Sequence, residues 1–321
     1  MSTGAGARAV RSVLMGDPSH FKVQGGANPH TRTRWGTRRH VDRQLAIVQW
    51  HGLKKTLEGL GVRVLVVPPD PACPGLVYPA NAGFQSRVDT PEPIAAKRFV
   101  LANLLPTRAG EKPHYRRVLE AAGYRVEEID PQLRFEGEAD FFPAGDVHLL
   151  THGRIERQRF VPAWGFPPWR RVYGFRTDVR VRDLLAPRVA PREVVVIELV
   201  KEAHYHGDTA LCAFGPGRAF LLAYREAIAP RAFELLRARF GDRLLELAPA
   251  DAARYAANSF TCTSDEQSVL VMPDGLSPRL LDAIRDRGVE PICVDVSEFL
   301  KKGGGSVKCM IGDLGVVTEP S

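Results

Sequence analysis

A phrase that recurs four times constrains the fold of this chain more than any other feature: a helix-like segment, a glycine, then an apolar strand. It reads Leu60-Gly61-Val62, Ala122-Gly123-Tyr124, Phe240-Gly241-Asp242 and Arg287-Gly288-Val289. Glycine suits the left-handed position that closes a helix before the chain reverses. The copies lie 62, 118 and 47 residues apart, so a unit of roughly 60 residues repeated about five times fits the chain length. Helices are predicted over 44–60, 114–121, 230–240 and 277–287, leading into strands at 62–67, 125–129, 244–247 and 291–294. Further strands are predicted at 192–200, 219–223 and 268–272. No Gly-x-Gly-x-x-Gly or P-loop follows any of them, which argues against a nucleotide-binding sheet.

Composition bounds the function classes. Of 321 residues, 44% are hydrophobic and 25% charged, which predicts a folded core and excludes a disordered, collagen-like or coiled-coil chain. Lys plus Arg exceeds Asp plus Glu by 44 − 37 = 7, a balance that first suggests a polyanionic partner. The excess is local. Residues 1–60 hold ten Lys/Arg against three acids, and the remaining 261 residues sum to zero. A nucleic-acid partner is therefore disfavoured. No apolar run is long enough for a membrane span and the start lacks an apolar signal stretch, so a cytoplasmic location is expected. Residues 1–10 are expected to be mobile and 11–321 to form one domain. Within it, 154–171 reads as a surface loop insertion holding three Pro, two Trp and five Arg without strand or helix period. Five cysteines, an odd number with no Cys-x-x-Cys pair, suggest neither a disulfide framework nor a zinc knuckle.

Three segments carry chemistry. In Lys302-Gly303-Gly304-Gly305-Ser306-Val307-Lys308-Cys309-Met310 a thiol follows a run of glycines, which permits close backbone approach to a ligand, and stands beside a lysine, whose charge would favour the thiolate. Cys309 is the candidate nucleophile, against the alternative of a small buried hydrophobe. Ala203-His204-Tyr205-His206-Gly207-Asp208-Thr209 supplies acid–base partners, and if extended it would place His204, His206 and Asp208 on one face. His-x-His also invites a metal, but no second cluster completes a ligand set, so no metal is expected. Phe135-Glu136-Gly137-Glu138-Ala139-Asp140-Phe141-Phe142 sets three acids among aromatics, where carboxylates are unfavourable unless they bind a cation. A guanidinium is a planar fork that carboxylates hold in bidentate fashion, so Glu136 with Asp140 or Asp208 could grip one.

Together these segments resemble the guanidino-group modifying superfamily, which comprises arginine deiminase, dimethylarginine dimethylaminohydrolase and the amidinotransferases. The resemblance implies the pentein fold, an α/β five-bladed β/α propeller with pseudo-fivefold ββαβ repeats, over most of the chain. Phe135-Glu136-Gly137 followed by Asp140 is similar to the family's acidic motif, one residue longer than the common Glu-Gly-Gly-Asp. His206-Gly207-Asp208-Thr209 is similar to its His-x-Asp-Thr motif and selects His206 over His204 as the catalytic histidine. Gly303–Cys309 resembles the lead into its nucleophile, and Arg176 in Tyr173-Gly174-Phe175-Arg176 matches the arginine that holds a substrate α-carboxylate. Asn28-Pro29 and Tyr78-Pro79-Ala80-Asn81-Ala82-Gly83 are similar to arginine dihydrolase-like members, which makes Asn28 and Asn81 pocket residues. Gly16-Asp17-Pro18 departs from the Cys-Pro-Pro of many relatives, and His30-Thr31 from their Trp-Met.

The resemblance implies catalysis by Cys309, His206 and Glu136, with Asp208, Asp140, Arg176, Asn81 and Asn28 binding a small guanidino substrate and no cofactor. The reaction would be hydrolysis of a guanidino C–N bond in arginine or a methylated arginine. The alternatives are amidino transfer to an amine, or a non-catalytic protein of the same fold that binds an acidic partner through its basic N-terminal region and the 154–171 loop. A homodimer is left open.

Overall fold

The computed structural model describes residues 8–24, 28–33, 35–263, 267–300 and 302–319. The chain opens with β1 (Arg8–Gly16), α1 (Arg43–Gly59) and β2 (Arg63–Val67). A second group holds β3 (Gly83–Gln85), β4 (Arg98–Leu101), α2 (Lys112–Ala121) and β5 (Arg125–Glu127). The third is β6 (Phe141–Ala144), β7 (Val147–His152), β8 (Arg159–Pro162), β9 (Trp169–Val172), α3 (Val181–Val189) and β10 (Glu193–Glu198). The fourth is β11 (Leu211–Phe214), β12 (Phe220–Ala223), α4 (Pro230–Phe240) and β13 (Leu244–Glu246). The fifth comprises α5 (Pro249–Ala253), β14 (Phe260–Thr263), β15 (Ser268–Pro273), α6 (Pro278–Arg285) and β16 (Val289–Val294), before β17 (Gly312–Glu319) ends the chain.

These elements build five three-stranded sheets, ordered β17-β1-β2, β3-β4-β5, β6-β7-β10, β11-β12-β13 and β14-β15-β16. In each, an antiparallel pair is extended by a parallel strand reached through a helix, the connection that parallel neighbours require. The recurring glycine does the expected work at four of these helix-to-strand junctions: Gly61, Gly123, Gly241 and Gly288 have φ of 76°, 92°, 52° and 72°. The 118-residue gap spans two units. The junction it skips runs from α3 to β10, where Ala190-Pro191 turns the chain and no glycine marks the place.

The longer helices bury an apolar stripe; in α1 it is Ala46, Trp50, Leu53 and Leu57, and in α4 Phe233, Leu236 and Phe240. The first strands of the sheets meet one another, β17 against β3 and β11 against β6 and β14. β3, β6 and β11 are buried along their whole length. Side chains such as Leu149, Leu221, Leu222 and Leu270 are fully enclosed between sheets, each contributing on the order of 1.5–3 kcal/mol.

Two expectations are corrected. Residues 154–171 are not a loop: β8 and β9 pair antiparallel as a two-stranded ribbon, from Arg159 opposite Val172 to Pro162 opposite Trp169. Trp164, Phe166, Trp169 and Phe160 stand exposed on it, so the apolar-in, polar-out alternation that marks a strand is missing. Residues 8–10, expected within the mobile start, are ordered in a sheet, where Arg8, Ala9 and Val10 pair with Glu319, Thr318 and Val317. Residues 1–7 lie outside the described residues. No described helix is long and apolar enough to cross a membrane.

Candidate active site

Four inner strands are entered through short 3-10 turns: Pro79–Asn81 before β3, Gly137–Ala139 before β6, Gly207–Thr209 before β11 and Lys308–Met310 before β17. Such a turn stops ladder pairing and aims polar side chains inward at the strand mouth. Glu136 and His206 each precede their strand by five residues, and Asp208 and Cys309 each precede theirs by three. The fold thereby repeats two stereochemical positions, and different residue types fill them. The turns wall a cavity of about 720 Å³ lined by Cys309, His206, Glu136, Arg176, Asn81 and Asn28, among others.

Cys309 is 3% exposed. Its thiol donates to Asp208 Oδ2 at 3.3 Å and accepts from the Asn258 amide at 3.1 Å. Burial and the Asp208 charge push the thiol well above its usual range. The neighbouring lysine does not lower it as expected: Lys308 Nζ turns away to Glu138 Oε1 at 2.6 Å and the Ile311 carbonyl at 3.0 Å. Asp208, raised by burial to about 6, keeps its buried Oδ1 without a hydrogen-bond donor among the described residues.

His206 lies between two carboxylates. Its Nδ1 is 2.8 Å from Asp140 Oδ2 and its Nε2 is 3.1 Å from Glu136 Oε2. Burial alone would depress the imidazole, but Asp140 and Glu136 outweigh it and raise it from 6.5 to about 9. Glu136 is opposed by burial and nevertheless held at about 2 by His206, Arg176 and Arg108. The resting site therefore holds an imidazolium and ionised Glu136.

Asp140 departs from its expected role. One oxygen accepts from Thr151 Oγ1 at 2.7 Å and Gly207 N at 2.9 Å; the other accepts from Thr177 Oγ1 at 2.7 Å and His206. With four donors around it, this carboxylate orients His206 and has no side free for a guanidinium. The His204–Asp208 segment is not extended either. His204 closes one 3-10 turn, with Nδ1 2.8 Å from the Thr209 carbonyl, and Gly207–Thr209 form the next.

Arg176 is buried, with its guanidinium 3.8 Å from Glu136 Oε1 and 5.0 Å over the Tyr205 ring. Asn81 lies 3.5 Å from His206 Nε2 while its oxygen accepts from Arg108 at 2.8 Å. Asn28 donates to Tyr205 Oη at 3.1 Å and the Gly303 carbonyl at 2.9 Å. The glycine run packs here: a Cβ on Gly305 would sit 2.6 Å from Cys309 Cβ.

Asn258, Arg108 and Tyr205 belong to the site and were not among the expected residues. Asn258 Oδ1 accepts from Cys309 N at 3.1 Å and Ser306 N at 2.9 Å, so it fixes the turn that carries Cys309. Its position was available in the sequence, because Asn258 stands two residues before β14 as Asn81 stands two before β3.

A buried thiol, an imidazolium and carboxylates gather at the mouths of small β-sheets, an arrangement that marks an enzyme site. Comparison with known proteins gives its family. A family profile described as N,N dimethylarginine dimethylhydrolase, eukaryotic, matches residues 193–316. The chain is 33% identical to the N(G),N(G)-dimethylarginine dimethylaminohydrolase of Mycobacterium tuberculosis over 94% of its own length and 84% of that protein. It is 30% identical to the bifunctional arginine dihydrolase/ornithine cyclodeaminase AgrE of Nostoc over 96% of its length, but spans only 38% of that longer protein. The solved complex of an AgrE mutant with L-arginine superposes with a TM-score of 0.78 at 25% identity, covering 97% of this chain and 41% of the other. The chain belongs to the guanidino-group modifying superfamily, in the family that holds the dimethylarginine dimethylaminohydrolases.

Proposed function

We propose that this protein is a cofactor-independent cysteine hydrolase acting on a guanidino C–N bond of arginine or a methylated arginine. The observation that carries the reading is the pairing of Cys309 with Asp208, whose second oxygen waits for a donor, in the cavity where Glu136 holds a protonated His206. The substrate guanidinium lies between Glu136 and Asp208, and its charge lowers the thiol pKa so that Cys309 gives its proton to solvent. The thiolate then bonds to the guanidino carbon. His206 gives its Nε2 proton to the departing amine as that C–N bond breaks, leaving a thiouronium adduct and a neutral imidazole. The imidazole next takes a proton from water, hydroxide adds to the same carbon, and the C–S bond breaks as the added hydroxyl gives its proton to solvent, which releases a ureido product and regenerates the thiolate.

Arg176, with Arg108 across the cavity, supplies cationic charge for a substrate α-carboxylate. Asn81 and Asn28 shape the wall beside His206 and the glycine run. The five sheets act as the five blades of a propeller whose inner strand mouths present the site. Incubation with arginine and with methylarginines should yield ureido product with ammonia or a methylamine, and a mass adduct on Cys309. Cys309→Ala should lower turnover at least ~10³-fold; turnover surviving that change would overturn the mechanism. A new guanidino product on adding glycine or lysine would redirect the assignment to amidino transfer.

A further inference from the structure

Outside this site the described residues bring together one group of side chains of mixed metal-ligand type. The Asp70 carboxylate, Cys73 thiol and His114 imidazole offer ligand atoms that all lie within 4.8 Å of one another, each residue half-buried. We propose that Asp70, Cys73 and His114 form a binding site for a zinc-class divalent cation at the wall of the catalytic cavity.

The ligand set is the first argument. Thiolate, imidazole and carboxylate together select a borderline-soft ion over calcium or magnesium, which take oxygen ligands. A tetrahedral ion with bonds of about 2.0–2.3 Å holds its ligand atoms roughly 3.3–3.7 Å apart. His114 Nε2 and Asp70 Oδ2 already lie 3.2 Å apart, so an ion can enter with small side-chain rotations.

Preorganisation is the second. Asp70 stands between Pro69 and Pro71, Cys73 precedes Pro74, and His114 follows Pro113 in the first turn of α2. Proline fixes φ and restricts the residue before it, so little backbone freedom is lost on binding. Asp70 also closes its own turn: its carbonyl accepts from Cys73 N at 3.0 Å and its Oδ1 from Ala72 N at 2.7 Å. Oδ2 is left facing His114.

On binding, the Cys73 thiol releases its proton to solvent and bonds as thiolate, while His114 bonds through neutral Nε2. Three protein ligands leave a fourth position for water. The ion would also stiffen the cavity. Cys73, Pro74 and Gly75 line it, and the Gly75 carbonyl accepts from Arg108, which in turn holds Asn81.

The test uses the full chain as Cys309→Ala, so that the nucleophile cannot bind the probe, and titrates it with cobalt(II). We expect one equivalent of tetrahedral cobalt with a thiolate-to-cobalt charge-transfer band, displaced by zinc. The band should vanish in Cys73→Ser/Cys309→Ala, and affinity should fall at least ~10-fold in His114→Gln/Cys309→Ala. Metal-free circular dichroism and melting of each variant separate loss of the site from loss of the fold. No charge-transfer band, or a band that survives Cys73→Ser and disappears with Cys293→Ser, would overturn the proposal.

Discussion

His206 holds its proton at a folded pKa of about 9 against an ordinary 6.5. A histidine raised in this way stabilises the fold fully below about pH 6.5, and the contribution is lost as pH rises through about 9. The melting temperature should therefore fall across that window, and His206→Gln should flatten the fall in thermal scans at successive pH. Glu136 acts in the other direction: held at about 2 instead of 4.5, its contribution is present above pH 4.5 and lost as pH drops through about 2. The same proton governs rate. Above about pH 9 the leaving amine goes unprotonated and kcat/KM should decline. Asp140→Asn removes the largest attraction on the imidazolium and should move that alkaline limb down by about one pH unit or more; an unmoved limb would assign it to another group. Glu136, His206, Asp208 and Cys309 were legible because each stands in a compact motif. Asp140's role was not, since a carboxylate is read from sequence but its donors are not, and Thr151 and Thr177 arrive from 11 and 37 residues away.

The elements that carry the chemistry are the turns at the strand mouths, and their tolerance is small. A methyl on Gly305 meets Cys309 Cβ and Tyr78 at 2.6 and 2.7 Å, so Gly305→Ala should displace the nucleophile. We expect kcat to fall on the order of 10–100-fold with a modest change in melting temperature; steady-state kinetics beside a melt would check both. The β8–β9 ribbon is a different kind of element. Tyr173 N and Gly174 N at its base are held by Glu202 Oε1 at 2.9 and 2.8 Å, and its flank, including Arg157, Gln158 and Arg171, lines the cavity. Replacing 159–172 with a short Gly-Ser turn should leave the five sheets folded and raise KM severalfold more than it lowers kcat. α1, α2, α4 and α6 and the parallel strands after them were readable because each helix closes at a glycine, whereas α3, which ends at Ala190-Pro191, and the five-residue α5 carried no such mark. β3, β6 and β11 were not: each has three or four residues enclosed on both faces, too short to show a period.

Across the whole molecule, the ends of the chain and two distant sheets are tied by buried charge. Arg11 and Arg218 share Asp89 and Asp313, with Arg218 Nη2 2.8 Å from Asp313 Oδ2 and Arg11 Nη2 2.7 Å from Asp89 Oδ1. Arg218→Leu would leave Arg11 as the one arginine shared by both carboxylates, an uncompensated buried charge, and should lower unfolding free energy by about 3–5 kcal/mol, read by denaturant titration. The basic excess of residues 1–60 thus includes one arginine, Arg11, that faces inward. Net charge gave no hint of it, because burial is a property of the closed fold. Closure itself rests on β1 and β17, which join Arg8 to Glu319 across nearly the full chain. Contacts so distant in sequence form late, after the local hairpins and crossovers. Cys309 lies three residues before β17, so the register of that one strand against β1 also sets where the thiol meets Asp208 and Asn258, 101 and 51 residues away in sequence.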